Sequence, residues 1–115
     1  MPNQSPSLDT MFQALADPTR RAVVERLCRG PATVGELARP VEMALPSFLQ
    51  HLQVLERSGL IRSEKVGRVR TCHLDPAAFD QLEHWMARQR AVWEARLDRL
   101  DAYLLTLKGS TDDPA

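Results

Sequence analysis

Residues 33–74, TVGELARPVEMALPSFLQHLQVLERSGLIRSEKVGRVRTCHL, decide the fold. Thr33 and Glu36 have capping-box spacing, in which a hydroxyl and a carboxylate each satisfy an otherwise unpaired backbone N–H, and Val34, Leu37 and Ala38 supply an apolar side. This predicts a short helix that stops at Pro40. Leu45, Phe48, Leu52 and Leu55 then recur at helical spacing, with Gly59 where a left-handed C-terminal cap belongs, predicting a helix over 45–57. Residues 60–66 and 69–74 alternate and are rich in β-branched side chains around Gly67-Arg68, the pattern of a hairpin with a basic tip.

Upstream, Leu8, Met11, Phe12 and Leu15 mark a first helix ending near Ala16. Asp17-Pro18 interrupts it and opens a second over 18–29, with Asp17 as cap and Pro18 at the first position. Ala22, Val23, Leu27 and Cys28 form its apolar face. Downstream, Asp75-Pro76 opens the longest helical segment, 76–107, on which Met86, Trp93, Leu100 and Leu107 stand seven apart. Residues 1–7 and 108–115 are too polar to offset their ordering entropy and are expected to be disordered tails flanking one domain, 8–107. The expected fold is mainly α: a helix-turn-helix followed by a two-stranded β wing and a long terminal helix.

Composition narrows the function. The 115 residues carry 15 basic and 15 acidic side chains, so a polyanion would have to be met by a local patch. Such a patch exists: from Asp17 to His73 ten basic residues face six acidic ones, a net of +4. No apolar run is long enough to span a membrane, and MPNQSPSLDT has no signal-peptide pattern, so a cytoplasmic protein with no membrane partner is expected. Catalysis finds no support in the inventory, which has no Gly-rich phosphate loop, no GxSxG and no HExxH. The protein reads as a non-enzyme without a cofactor.

In a helix-turn-helix the second helix lies in the major groove of double-stranded DNA while the first braces it. With Leu45, Phe48, Leu52 and Leu55 turned inward, helix 45–57 offers Pro46, Ser47, Gln50, Gln53, Val54 and Arg57. Ser and Gln donate and accept at base edges, Gln suits adenine, and Val54 suits a thymine methyl. Arg20, Arg57, Arg68 and Arg70 are the candidate phosphate contacts, the last two beside a glycine that allows close approach. These hairpin arginines are expected to face the duplex, not carboxylates of their own chain. The bland alternatives are a solvated polar flank and a charged edge strand that discourages aggregation.

A 30-residue helix is roughly 45 Å long, more than so small a domain can cover, so a partner must cover the rest. The expectation is a homodimer built on Leu8, Met11, Phe12, Leu15, Met86, Trp93, Leu97, Leu100 and Leu104, placing two recognition helices about one DNA turn apart. Trp85, Trp93 and Tyr103 read as packing residues, not a ligand cage.

The stretch ALADPTRRAVVERLCRG, followed by residues 33–61 and the wing SEKVGRVRTCHL, resembles the ArsR family of bacterial winged-helix repressors over about residues 8–107. The resemblance implies a homodimeric repressor of transcription on a palindromic operator. It puts Ser47, Gln50, His51 and Gln53 on the recognition helix and Gly67, Arg68 and Arg70 on the wing. The family's metal sensors carry a CxC-type motif where this chain reads VGELARP, or paired ligands on the last helix, where this chain has His84 alone and Ala95 in place of a second histidine. The chain is thus similar to the metal-independent branch, and no metal site is expected. Ala44 and Leu49 replace residues that are more usually polar. The residues name no inducer; Cys28 and Cys72 are the candidate redox pair, against the plainer reading of buried thiols. A second function class, a protein-interaction module using the winged fold and its long amphipathic helix, remains open at this point.

Overall fold

The structure is a computed structural model that describes residues 7–111. Its elements are α1 (Leu8–Leu15), α2 (Pro18–Leu27), β1 (Ala32–Thr33), α3 (Val34–Ala38), α4 (Leu45–Arg57), β2 (Ile61–Val66), β3 (Val69–Leu74) and α5 (Pro76–Thr111). The chain is mainly helical, with a winged helix-turn-helix at its centre. It divides into two units between Leu82 and Glu83, the second holding the remainder of α5.

Local chemistry sets the helix starts. Ser7 accepts from the Thr10 amide and Thr10 Oγ1 accepts from the Ser7 amide, a capping box that places residue 7 in the fold instead of in a tail. Asp17 caps α2 through the Arg20 amide at 3.0 Å, with a proline in the first turn. The expected Thr33–Glu36 box opens α3, its two bonds 2.9 and 3.1 Å long. Gly59 ends α4 at φ +84°, a left-handed conformation that any side chain would strain. Ser58, buried just before it, donates to the Leu55 carbonyl and accepts from the Leu60 amide, so the tight exit leaves no polar group stranded.

The wing pairs Ile61 with Leu74 and Val66 with Val69, leaving a two-residue turn. Gly67 holds φ +64° there while Arg68 does not enter the left-handed region, the pattern of a hairpin turn with glycine first. Beyond the two expected strands, β1 adds a third: Ala32 pairs with Cys72 and Thr33 with Thr71, giving the order β1-β3-β2. A two-residue strand has no periodicity to announce it. In the first unit Met11, Ala14, Val23, Leu27, Leu37, Phe48, Leu52, Leu55, Leu60, Ile61, Cys72, Ala78 and Leu82 form one core.

Several expected boundaries and faces move. Helix α5 continues through Thr111, four residues past the expected stop at Leu107. The remaining tail residues, 1–6 and 112–115, lie outside the described residues. Ala22 and Cys28 are exposed, not part of the α2 core face, which is carried by Val23, Val24 and Leu27. On α4, Leu45 is exposed and Val54 packs against the core, reversing the two expected placements at the edges of the buried stripe.

Candidate nucleic-acid interface

The buried stripe Phe48, Leu52 and Leu55 fixes how α4 is rotated in the domain. Ser47, Leu49, Gln50, Gln53 and Arg57 are therefore exposed on the opposite flank, at positions the helical period brings together. No acidic side chain lies in the first turn of α4, and Arg57 stands in the last, where a cation suits the helix C-terminus. The exposed polar residues Ser47, Gln50 and Gln53 thus occupy one surface of one helix. Val54, partly buried, packs against the core at the edge of that surface.

His51 lies at the margin and is tied to the helix before the turn. Arg20 Nη1 stands 3.1 Å from His51 Nδ1. A guanidinium can only donate, so in this contact Nδ1 accepts and the ring hydrogen belongs on Nε2. The other Arg20 nitrogens donate to the Ala14 carbonyl at 2.7 Å and the Gln13 carbonyl at 3.0 Å. Asp17 Oδ2 lies 3.7 Å from the same His51 nitrogen. Its carboxyl is held below the ordinary carboxylate range, chiefly by the Arg20 backbone N–H, with the Arg20 charge adding to it against a cost of desolvation. Arg20 therefore spends its donors inside the protein: it fastens the end of α1 and the middle of α4 to α2.

The wing separates its two arginines. Strand alternation puts Arg70 on the same face as the buried Cys72, which turns it toward α4. There Arg70 Nη2 meets Glu56 Oε1 at 2.5 Å, Arg70 Nε donates to Ser63 Oγ at 2.8 Å, and Ser63 donates to Glu56 at 2.5 Å. The expectation that both hairpin arginines face away from the chain's own carboxylates fails for Arg70. Arg68, in the turn and not on the strand, makes no hydrogen bond or ion pair with the described residues. Strand alternation relates side chains only within a strand, so it does not relate Arg68 in the turn to Arg70 on β3.

Glu56 and Ser63 join the candidate site through Arg70, and sequence reasoning missed both. Glu56 and Arg70 are 14 residues apart, on a helix and a strand, with no local pattern linking them; only the strand parity of Arg70 hinted at the direction. Leu45 and Leu49 are exposed beside these polar residues, although spacing had put Leu45 in the buried stripe.

Of the residues expected at a dimer contact, Met11 is completely buried in its own core, and Leu8 and Leu15 pack partly against it. Phe12 stays exposed, as do Met86, Trp93, Leu97, Leu100 and Leu104 on α5. Met11 is therefore removed from that set. Cys72 is buried and its thiol is pushed up, first by burial and then by Glu56, with Arg70 opposing, whereas Cys28 is exposed. A redox thiolate needs the opposite surroundings, so Cys72 does not suit that role. Among the described residues no cluster of His, Cys, Asp and Glu has the arrangement to hold a metal ion, and no helix is long and apolar enough to cross a membrane.

Known proteins share this arrangement. A helix-turn-helix domain family matches residues 15–64. The HTH-type transcriptional regulator Rv2034 of Mycobacterium tuberculosis is 47% identical over 76 residues, covering 66% of this chain and 71% of that protein. The transcriptional repressor SdpR of Bacillus subtilis is 28% identical over 79 residues, covering 69% of this chain and 88% of that protein. The crystal structure of an ArsR family transcriptional regulator superposes with a TM-score of 0.73 at 60% identity, covering 76% of this chain and 96% of the other.

Proposed function

Since the chain belongs to the ArsR family of winged helix-turn-helix transcriptional regulators, we propose that it works in the cytoplasm as a homodimeric repressor that occupies a palindromic operator. The observation that carries this reading is the exposed flank of α4, where Ser47, Gln50 and Gln53 stand together next to a wing whose tip presents Arg68, which has no partner among the described residues. In this reading α4 enters the major groove, its amides and hydroxyl meet base edges, and Arg57 and Arg68 meet phosphates. Arg20, His51 and Arg70 hold α4 and the wing at their working angle. Pairing of two chains is assigned to the exposed apolar residues of α5 together with Phe12, and doubles the number of phosphate contacts on one duplex.

The similarity to a transcriptional repressor supports repression as the direction of control. The test is a gel shift with the DNA upstream of the protein's own coding region, run with and without reductant and divalent metal. Retarded, competitor-resistant complexes of a protein dimer are expected. A protein that stays monomeric and gives only non-specific retardation overturns the reading. A second reading, a protein-interaction module, draws on the exposed Trp93, Leu100 and Leu104 of α5. Salt separates the two, because phosphate contacts weaken steeply with ionic strength and apolar association does not.

A further inference from the structure

Leu45 and Leu49 begin α4 and are 54% and 39% exposed. Standing at i and i+4, they share one edge of the helix. That edge faces the wing: with Val34, Arg68, Val69 and Arg70 they line a groove between α3, the first turns of α4 and the hairpin tip. Single exposed leucines are ordinary on a protein surface. Two in succession, immediately beside Gln50 and Gln53 on the flank read here as base-facing, call for an apolar counterpart.

The major groove offers donors, acceptors and one apolar group, the C5 methyl of thymine, which stands at the outer edge of its base pair near the backbone. An apolar edge pressed onto phosphates would desolvate charge without compensation. Arg68, lining the same groove with no partner among the described residues, is placed to take the neighbouring phosphate while the leucines take the methyl. We infer that Leu45 and Leu49 form an apolar contact for thymine methyl groups, and that this contact, combined with adenine recognition by Gln50 and Gln53, selects thymine at defined positions of each operator half-site. The inference rests on the reading of α4 as the helix that enters the groove.

The test uses the full chain and a duplex selected by it from a random 30-base-pair library, remade with deoxyuridine in place of thymidine one position at a time. This exchange keeps base pairing and removes only the methyl. For each methyl in contact, the protein is expected to bind the uracil duplex about fourfold more weakly, the effect of uncovering roughly one methyl-sized group. Leu49→Ala and Leu45→Ala should bind the thymine duplex more weakly, and the variant that has lost the contact should no longer distinguish thymine from uracil. Gln50→Ala should keep that distinction. Far-UV circular dichroism confirms that each variant is folded. Equal affinity of the unmodified protein for thymine and uracil duplexes overturns the inference, as does full methyl dependence in both leucine variants. A leucine that merely props the wing would weaken both duplexes alike, which also overturns it. If no sequence emerges from the library above the unselected pool, the groove-entering reading fails and takes this inference with it; selective binding without methyl dependence removes the inference alone.

Discussion

Arg68 and Arg70 are two positions apart and have different work. Arg68 has no partner among the described residues, so Arg68→Ala should weaken every duplex to a similar degree and lower the slope of log affinity against log salt by about one per subunit, read by fluorescence anisotropy across a salt series. Arg70 joins Glu56 and Ser63. Glu56→Gln raises the local charge by one and releases Arg70, which on charge alone would tighten binding; a lower affinity is expected instead because the released wing must be ordered on binding, and an unaltered or higher affinity would show that this tie does nothing for the interface. At Asp17 the relevant variable is pH. Its folded carboxyl titrates below the ordinary range of about 4 because the native cap stabilises the charged form. That stabilisation is present above the unfolded value and is lost as pH falls through the folded one; Asp75, lowered mainly by Arg62, and Glu36, lowered mainly by the Thr33 amide, share the sign. Denaturant midpoints should fall below about pH 4. Asp17→Asn, which caps without titrating, should flatten part of that fall, whereas Asp17→Ala should cost about 1 kcal/mol at neutral pH.

At the scale of elements, the starts of α2, α3 and α5 were legible because their signals are local: Asp17-Pro18, Thr33 with Glu36, and Pro76 all lie within one turn of the boundary they mark. The hairpin was legible for the same reason, since Gly67 is the residue its turn demands. Gly67→Ala meets open space but inherits φ +64°, so it should destabilise the wing by about 1 kcal/mol through backbone strain alone, measurable by chemical denaturation. What stayed hidden depends on rotation and distance. Leu45 and Val54 exchange places because the buried stripe is narrower at its ends than spacing implies, and Arg20 finds its partners on two other helices. Residues 108–111 were expected to belong to the polar tail, yet α5 runs through them. Helix α1 divides its apolar residues the same way: Met11→Ala should cost about 2–5 kcal/mol of folding stability, as a large core truncation does, while Phe12→Ala should cost far less and act on association instead. On α5, Trp93→Glu with Leu100→Glu should convert a dimer to a monomer with its helicity intact, as followed by sedimentation and far-UV circular dichroism; persistence of the dimer would move the pairing surface elsewhere.

The whole molecule balances its charge to zero while concentrating a net +4 between Asp17 and His73. Its attraction to a duplex is therefore local, short in reach at physiological ionic strength, and sensitive to how the remaining acids are arranged. The near-neutral isoelectric point of 6.8 sets a practical condition: self-association should be least well opposed by charge near pH 7, and binding studies belong away from it. The fate of the two thiols has a different consequence. Cys28 is open to solvent and Cys72 is sealed in the core with its ionisation suppressed. In the native state a maleimide dye should attach at one place only, giving a site-selective fluorescent handle without mutagenesis. The second thiol then serves as a clock, since its alkylation has to wait for the hairpin to come away from the helices beneath it.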